Sequence, residues 1–401
     1  MLATHQRSAL ERRAHEVSLP MFHRTLAAVG LLAALPLAAS AQIVTGFSAT
    51  VSGIEETPPN ASANLGTAEL TYDVGTGVLS CTVLTTMSTV TIAHVHDGDV
   101  GFGGPIVFGL NPVPGGWGGS GLLSAAQVDD LLRGGLYVNL HSAAFSGGEI
   151  RGQIRPPRHF VAFATGAKET PPNPSIGTAN GRFEFDLATQ QLSYDVVVKN
   201  VNATISHLHS AFPGSAGPIV VALDPNGPNG FKGTSPPLSS GEVLQLLAGG
   251  IYLNVHSPSF PGGEVRDQVH VGGLNADANR VGAANGIKLD MDVSVGPDAA
   301  GDLFWVLGSL SGTTPGLPVD GMNLPLNPDA YFLLTLNNPN QPPLSPSQGF
   351  LSGGQDLARF EIAPGVLTPL IGATLNHAFV GVDLGALVVN FASNAQALTI
   401  Q

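Results

Sequence analysis

The chain has 401 residues, 16 basic and 29 acidic side chains, and a formal charge of −13. Hydrophobic residues make up 43% and charged residues 11%, so a large core can form, and the net acidity argues against nucleic acid as a partner held by charge. A single cysteine, Cys81, excludes an internal disulfide framework and any Cys-rich zinc module.

The first element is an export signal. Leu26 to Ala38 form an apolar run preceded by Arg7, Arg12, Arg13 and Arg24, and Ala39-Ser40-Ala41 follows as a small-x-small cleavage pattern. The run is too short to span a bilayer, which takes about 20 residues. Residues 1–41 therefore read as a signal peptide, with Met21 as an alternative start, and the product as secreted, to the periplasm or beyond. No later segment reaches membrane-spanning length, so no membrane span is expected in the mature chain.

A tandem repeat follows. Glu56-Thr57-Pro58-Pro59-Asn60, His94-Val95-His96 and Gly104-Pro105-Ile106-Val107 all recur 113 residues later, at Glu169, His207 and Gly217. Leu136 to Ser142 and Gly147-Gly148-Glu149-Ile150-Arg151 recur 115 residues later, at Ile251 and Gly262. A near-constant offset over five motifs predicts two domain-sized copies, 43–156 and 159–271, since solenoid repeats have periods of about 20–50 residues.

Within copy one, residues 68–74, 79–84 and 89–95 alternate apolar and polar between Gly-, Asn- and Asp-rich turns, which predicts strands. A helix follows Ser124 and stops at Gly134-Gly135. Copy two repeats this, with strands over 181–187 and 192–198 and a helix from Ser240 to Leu247 before Gly249-Gly250. Short alternating strands of this kind make a sandwich or barrel. Val271 to Asn275 reads as a linker to a third domain, 275–401. That domain is expected to be a β-sandwich, with strands over 302–309, 331–336, 378–382 and 387–391, and with Phe304, Trp305, Tyr331 and Phe332 in its core. The fold class expected is all-β, with two tandem Greek-key-like barrels or sandwiches and a C-terminal sandwich.

The motif order ETPPN, HxH, GPIV, short helix, LYVNLHS and GGEIRGQI resembles the CHRD domain, first described in chordin and widespread in bacterial exported proteins. The resemblance covers both copies; copy two departs at Asp267 and Val269, where copy one has Gly152 and Ile154. It implies a secreted β-rich module with a binding or structural role toward a protein or glycan. It implies no enzymatic activity, and without the cysteine-rich modules of chordin it does not imply growth-factor binding.

Six histidines carry the sharpest chemistry. His94 and His96 stand at i and i+2 on a predicted strand and so face one side, and His141 ends another strand; His207, His209 and His256 repeat the set. Imidazole suits copper, zinc, nickel or iron, and three of them with an open position can hold an ion. Each copy also resembles, more distantly, the β-barrel of copper/zinc superoxide dismutases. That family too carries an HVH pair on a strand, a later strand-end His, and a Gly-rich loop leading to an Arg, matched in order by Arg151 and Arg266. The resemblance implies a shared barrel and a mononuclear copper site. No zinc subsite, bridging ligand, cysteine pair or fourth copper-ligating His is evident.

The alternative is a structural polar network. Glu149 and Arg151, like Glu264 and Arg266, face the same side and could pair with each other, or a Glu could hold a His nitrogen, with Glu56 and Glu169 joining. Asp224 to Gly230 lacks the ligand positions of a calcium loop, and reads as a turn. Asp97-Gly98-Asp99 reads as a solvated loop, and Cys81, matched by Tyr194, as a buried strand position.

Overall fold

A computed structural model describes residues 44–228, 230–276, 280–284, 287–296, 299–320, 322–385 and 387–401. The expected signal peptide, 1–41, lies outside the described residues. No described helix is long and apolar enough to cross a membrane.

Copy one comprises β1 (Val44–Ser52), β2 (Leu65–Asp73), β3 (Val78–Thr85), β4 (Ile92–Asp97), β5 (Ile106–Val113), β6 (Gly116–Leu122), α1 (Ala125–Arg133), β7 (Leu136–His141) and β8 (Ile150–Gln153). The strands close into a barrel in the order β1-β2-β3-β6-β5-β4-β7-β8. Alternation drives this: Ala68, Leu70 and Tyr72 of β2 point inward while Glu69 and Thr71 face out. Helix α1 begins in a Ser124–Gln127 capping box, buries Val128, Leu131 and Leu132, and stops at Gly134 in the left-handed region.

Copy two comprises β9 (His159–Thr165), β10 (Thr178–Asp186), β11 (Gln191–Lys199), β12 (Ile205–Ser210), β13 (Ile219–Ala222), β14 (Gly230–Thr234), α2 (Ser240–Leu247), β15 (Ile251–His256) and β16 (Val265–Gln268). Its order, β13-β12-β15-β16-β9-β10-β11-β14, is that of copy one, and the step to β14 is made by the residues just after β13: the Asn226 N–H donates to Gly230 O at 2.8 Å, the Lys232 N–H donates to Asp224 O at 3.0 Å, and Pro225 faces Phe231. Copy one makes the same step through a hairpin in which Val113 meets Gly116 and Asn111 meets Gly118. A Cβ on Gly119 would sit 2.5 Å from the Gly109 carbonyl, so glycine is what lets β5 and β6 approach. Copy two has Pro225 and Pro228 in the corresponding stretch; proline has no N–H to give a ladder, so the contact is confined to the bonds made by the neighbours of Pro225. Tyr194 braces it: its hydroxyl donates to Asp224 Oδ2 at 3.1 Å and accepts from the Asp224 N–H at 3.0 Å. Cys81 holds the equivalent place in copy one, buried, with burial pushing its thiol up to about 12. The barrel-like sheets fit the β-rich module that the first resemblance implies and the barrel that the second implies.

One apolar cluster runs through both copies. Helices α1 and α2 pack on each other, and the Ser240 hydroxyl donates to Asp129. The cap of α2 is Ser239 rather than Ser240.

The C-terminal region has a separate core, including Leu289, Met291, Phe304, Phe360 and Phe379. One sheet there joins Gly273–Ala276, Ile287–Ser294 and Gln355–Ile362; another is built around Thr374–Asp383 and Leu303–Ser309. Two expectations are corrected. Residues 331–336 are not a strand but part of helix α3 (Ala330–Asn337), because Asp329 caps it by accepting from the Phe332 N–H at 2.8 Å. The apolar run Tyr-Phe-Leu-Leu has no period that separates strand from helix. Residues 271–275 are not a free linker: Val271 pairs with Phe160 of β9, and Leu274 is buried opposite Val293.

Candidate functional site

Register places the histidines on one outer face of each barrel. His94 and His96 of β4 lie opposite Asn139 and Tyr137 of β7, and His141 lies opposite Ile92. The intervening Ala93, Val95, Val138 and Leu140 fill the core, so the alternation that builds the barrel also turns the polar set outward. On β8, Arg151 lies opposite Asn139 and Gln153 opposite Tyr137. Copy two repeats this, with His207 opposite Asn254, His209 opposite Tyr252, and Arg266 opposite Asn254.

The imidazoles converge. Each trio offers one ring nitrogen per residue, all lying within 4.8 Å of one another, and such a group could hold a metal ion. Ring centroids of His94 and His141 are 5.4 Å apart, and those of His207 and His256 are 5.2 Å apart. His96, His209 and His256 are buried; the other three are half-buried.

Backbone carbonyls set which nitrogen faces inward. His96 Nδ1 meets the Gly104 carbonyl at 3.0 Å, and His141 Nδ1 the Ser146 carbonyl at 3.1 Å. His209 Nδ1 meets Gly217 O at 3.0 Å, and His256 Nδ1 meets Pro261 O at 3.0 Å. A carbonyl only accepts, so each Nδ1 carries the hydrogen and each Nε2 is left a bare lone pair. The buried Nε2 atoms of His96, His141 and His209 and the Nδ1 of His94 have no partner among the described residues. In copy two, His207 Nδ1 and His256 Nε2 face each other at 3.3 Å. Burial, chiefly, lowers the pKa of His94, His96, His207 and His209, which keeps these rings neutral and able to donate a lone pair near pH 7.

A stack backs each trio. The His96 ring lies on Tyr137 at 4.8 Å with 6° between the planes, and the Arg151 guanidinium covers Tyr137 at 3.5 Å. His209, Tyr252 and Arg266 stack likewise, at 4.9 and 3.6 Å. The phenol of Tyr137 also accepts from the Gly104 N–H at 3.1 Å, so the residue whose carbonyl orients His96 is itself pinned by the ring under His96. The tyrosines were legible within the LYVNLHS repeat, at the i−4 position from the strand-end His, although spacing alone carried no sign of the stacking.

The carboxylate pairings expected from i, i+2 spacing are corrected. Glu149 bonds neither Arg151 nor a histidine: it accepts from Ser62 Oγ at 2.8 Å and Asn64 Nδ2 at 2.6 Å. These bonds and one from Ser142 outweigh burial and hold its pKa below the usual value. Glu264 accepts from Ser175 Oγ at 2.6 Å. The ETPPN loop wraps over the site instead, with cis Thr-Pro peptides in both copies. Arg151, 2% exposed, donates to Phe102 O at 2.8 Å, Asp99 O at 2.9 Å, Gln153 Oε1 at 3.1 Å and Thr57 Oγ1 at 3.3 Å. Arg266 donates to Thr170 Oγ1, Phe212 O and Gln268 Oε1. Both guanidinium groups are thus buried and engaged by oxygens of the chain. Glu56 and Glu169 are buried under the loop, and burial pushes Glu56 up to about 7 against the lowering effects of the Thr57 N–H and Arg151.

The described clefts lie elsewhere. One of about 780 Å³ runs between copy two and the C-terminal region past Tyr194 and Phe391, and another of about 350 Å³ lies between Leu84 and Arg280. Neither is lined by a trio histidine. Comparison with family models matches the CHRD domain over residues 47–154 and again over 160–269. Comparison with curated proteins finds no match.

Proposed function

The chain belongs to the CHRD domain family and carries two copies of that domain, and from this premise we propose that it is an exported binding protein in which each copy takes up one transition-metal ion. The observation that carries the reading is the set of buried nitrogens without partners among the described residues, at His94, His96 and His141 in copy one and His209 in copy two, with the other ring nitrogen of His96, His141 and His209 held by a carbonyl. A structural polar network satisfies its buried atoms; this one leaves several lone pairs aimed at a common point. Carbonyl-fixed Nδ1–H groups are the outer-shell arrangement that orients metal-binding imidazoles and raises their basicity.

His94, His96 and His141 would hold the ion in copy one, and His207, His209 and His256 in copy two. Copper is the metal we assign, since it stands highest for nitrogen donors and no carboxylate or thiolate joins the set. The engaged state of Arg151 and Arg266 favours metal handling over turnover, so the role is binding rather than catalysis. Export fits the N-terminal pattern of Leu26 to Ala41.

The test is metal content after exposure to Cu(I), Cu(II) or Zn(II) and desalting. About two equivalents per chain are expected, falling to near zero in the H96A/H209A double variant. Retention unchanged in that folded variant would sink the trio sites.

A further inference from the structure

An apolar pair flanks each trio, and it is the same pair in both copies. Ile106 of β5 stands directly opposite His96, and Ile92 of β4 stands directly opposite His141. In copy two Ile219 stands opposite His209, and Ile205 opposite His256. Residues directly opposite on an antiparallel pair share a face, with Cβ atoms about 4.5–5.5 Å apart, so each isoleucine lies beside a ring of the trio. The four are 47%, 55%, 50% and 55% exposed at 92, 106, 205 and 219, so they lie outside the core. In copy one the partnerless Nδ1 of His94 and the Nε2 atoms of His96 and His141 are all buried. An ion held by these three nitrogens is therefore largely stripped of water.

The charge around the trio limits what such an ion can be. Each converging group has three members among the described residues, all imidazoles, with no carboxylate or thiolate to neutralise a dication. Arg151 and His96 both lie against the Tyr137 ring, at 3.5 and 4.8 Å, which puts a buried guanidinium one ring away from a ligand. Arg266 and His209 repeat this on Tyr252. Each guanidinium opposes positive charge on its histidine. At about 10 Å and an effective dielectric of about 20, such a charge weakens binding roughly tenfold for each unit of charge on the ion. Asp97 alternates to the other side of β4 from His96, and Glu149 is engaged by Ser62 and Asn64. Glu56 bears on Arg151, but burial raises its carboxyl to about 7, so it offsets that charge only in part.

The cost of dehydrating an ion rises with the square of its charge, so a dication loses about four times what a monocation of its size loses. Zn(II) also takes four ligands almost without exception, and Cu(II) favours tetragonal sites. Cu(I) is a closed-shell monocation that three ligands satisfy.

We infer that the ion each trio takes is monovalent copper, held by three imidazoles without water, and that the isoleucine pair and the guanidinium select it over divalent ions. This deepens the metal-binding reading and rests on it.

The test is a pair of competition titrations of the purified protein at pH 7 without oxygen, Cu(I) against bicinchoninate and Zn(II) against a chromophoric zinc chelator. Two Cu(I) per chain are expected, bound at least about a hundredfold more tightly than Zn(II). The X-ray absorption edge of the Cu(I) form should be that of a three-coordinate ion with no oxygen neighbour. Ile106→Asn with Ile219→Asn, at surface positions outside the core, should narrow the Cu(I) preference several-fold by admitting water. Zn(II) held as tightly as Cu(I) by wild type, or an unchanged preference in the folded double variant, overturns the inference and leaves the trio sites standing. Neither metal retained by wild type overturns both.

Discussion

In copy one the ladder between β5 and β6 runs over several residues; in copy two the matching step shrinks to one bridge, Pro225 with Phe231, braced by a tyrosine hydroxyl. On the opposite flank nothing comparable changes. The trio, the tyrosine–arginine stack and the surroundings of Gly148 and Gly263 recur with distances that agree within a few tenths of an ångström. The difference teaches where the geometry of the site is determined. It depends on β4, β7 and β8 with the ETPPN loop, and on their counterparts β12, β15 and β16, and not on the length of the closing ladder. If that is right, perturbing that ladder should leave metal uptake alone, and perturbing the three site strands should not.

The largest effect expected is at the ligands. His96→Ala and His209→Ala should each remove one of two metal equivalents, with the remaining site unchanged in affinity. Unequal losses, measured by metal analysis of each single variant, would mean that the shorter closing ladder of copy two compromises its site.

Next is acid sensitivity, which should belong to copy two. His159 on β9 is buried, and burial first, then Arg158, drives its pKa down from 6.5 to about 3; copy one has Gly46 at the matching place. The unfolded chain protonates this ring near pH 6.5 and the folded chain does not. Stability is therefore fully present above about 6.5, is lost as pH falls toward about 3, and loses nothing further below that. At about 1.4 kcal/mol per pH unit the loss is at most roughly 5 kcal/mol. His159→Gln should flatten this part of the stability–pH curve in denaturant titrations. His377, fully buried and 2.8 Å from the Tyr331 hydroxyl, adds a similar acid loss in the C-terminal region.

A smaller effect is expected at the brace on that ladder. Tyr194→Phe removes both bonds to Asp224 and should cost about 1–3 kcal/mol in thermal or chemical unfolding, without changing metal content. Cys81→Ala, at the same place in copy one, loses only a thiol's packing. Smallest is Tyr137→Phe, which keeps the stack under His96 but frees the Gly104 N–H. It should weaken metal binding in copy one by up to about tenfold in a chelator competition, in keeping with an outer-shell contact.

Much of this was legible from the residues. The 113-residue offset exposed the two copies, the period-2 alternation exposed strands such as β2 and β10, and HxH on a strand placed two imidazoles on one side. The rest depended on contacts distant in sequence. Spacing alone allowed Glu149 to pair with Arg151, because it cannot show that Ser62 and Asn64, more than 80 residues earlier, reach the carboxylate first. Residues 331–336 read as a strand because their apolar run hides its period, and the cap at Asp329 decided otherwise. The meeting of Glu56 and Asn139 over Gly148 joins three segments, and no local pattern announces it.

The central claim is that three imidazoles per copy, and no other side chain, hold the ion. X-ray absorption of the copper-loaded protein at two equivalents tests it most directly. The account predicts about three nitrogen neighbours at roughly 2.0 Å, the distance usual for imidazole ligands, with the outer-shell scattering of imidazole rings. A first shell of oxygen without imidazole scattering, or a spectrum unchanged in H96A/H209A, would contradict it.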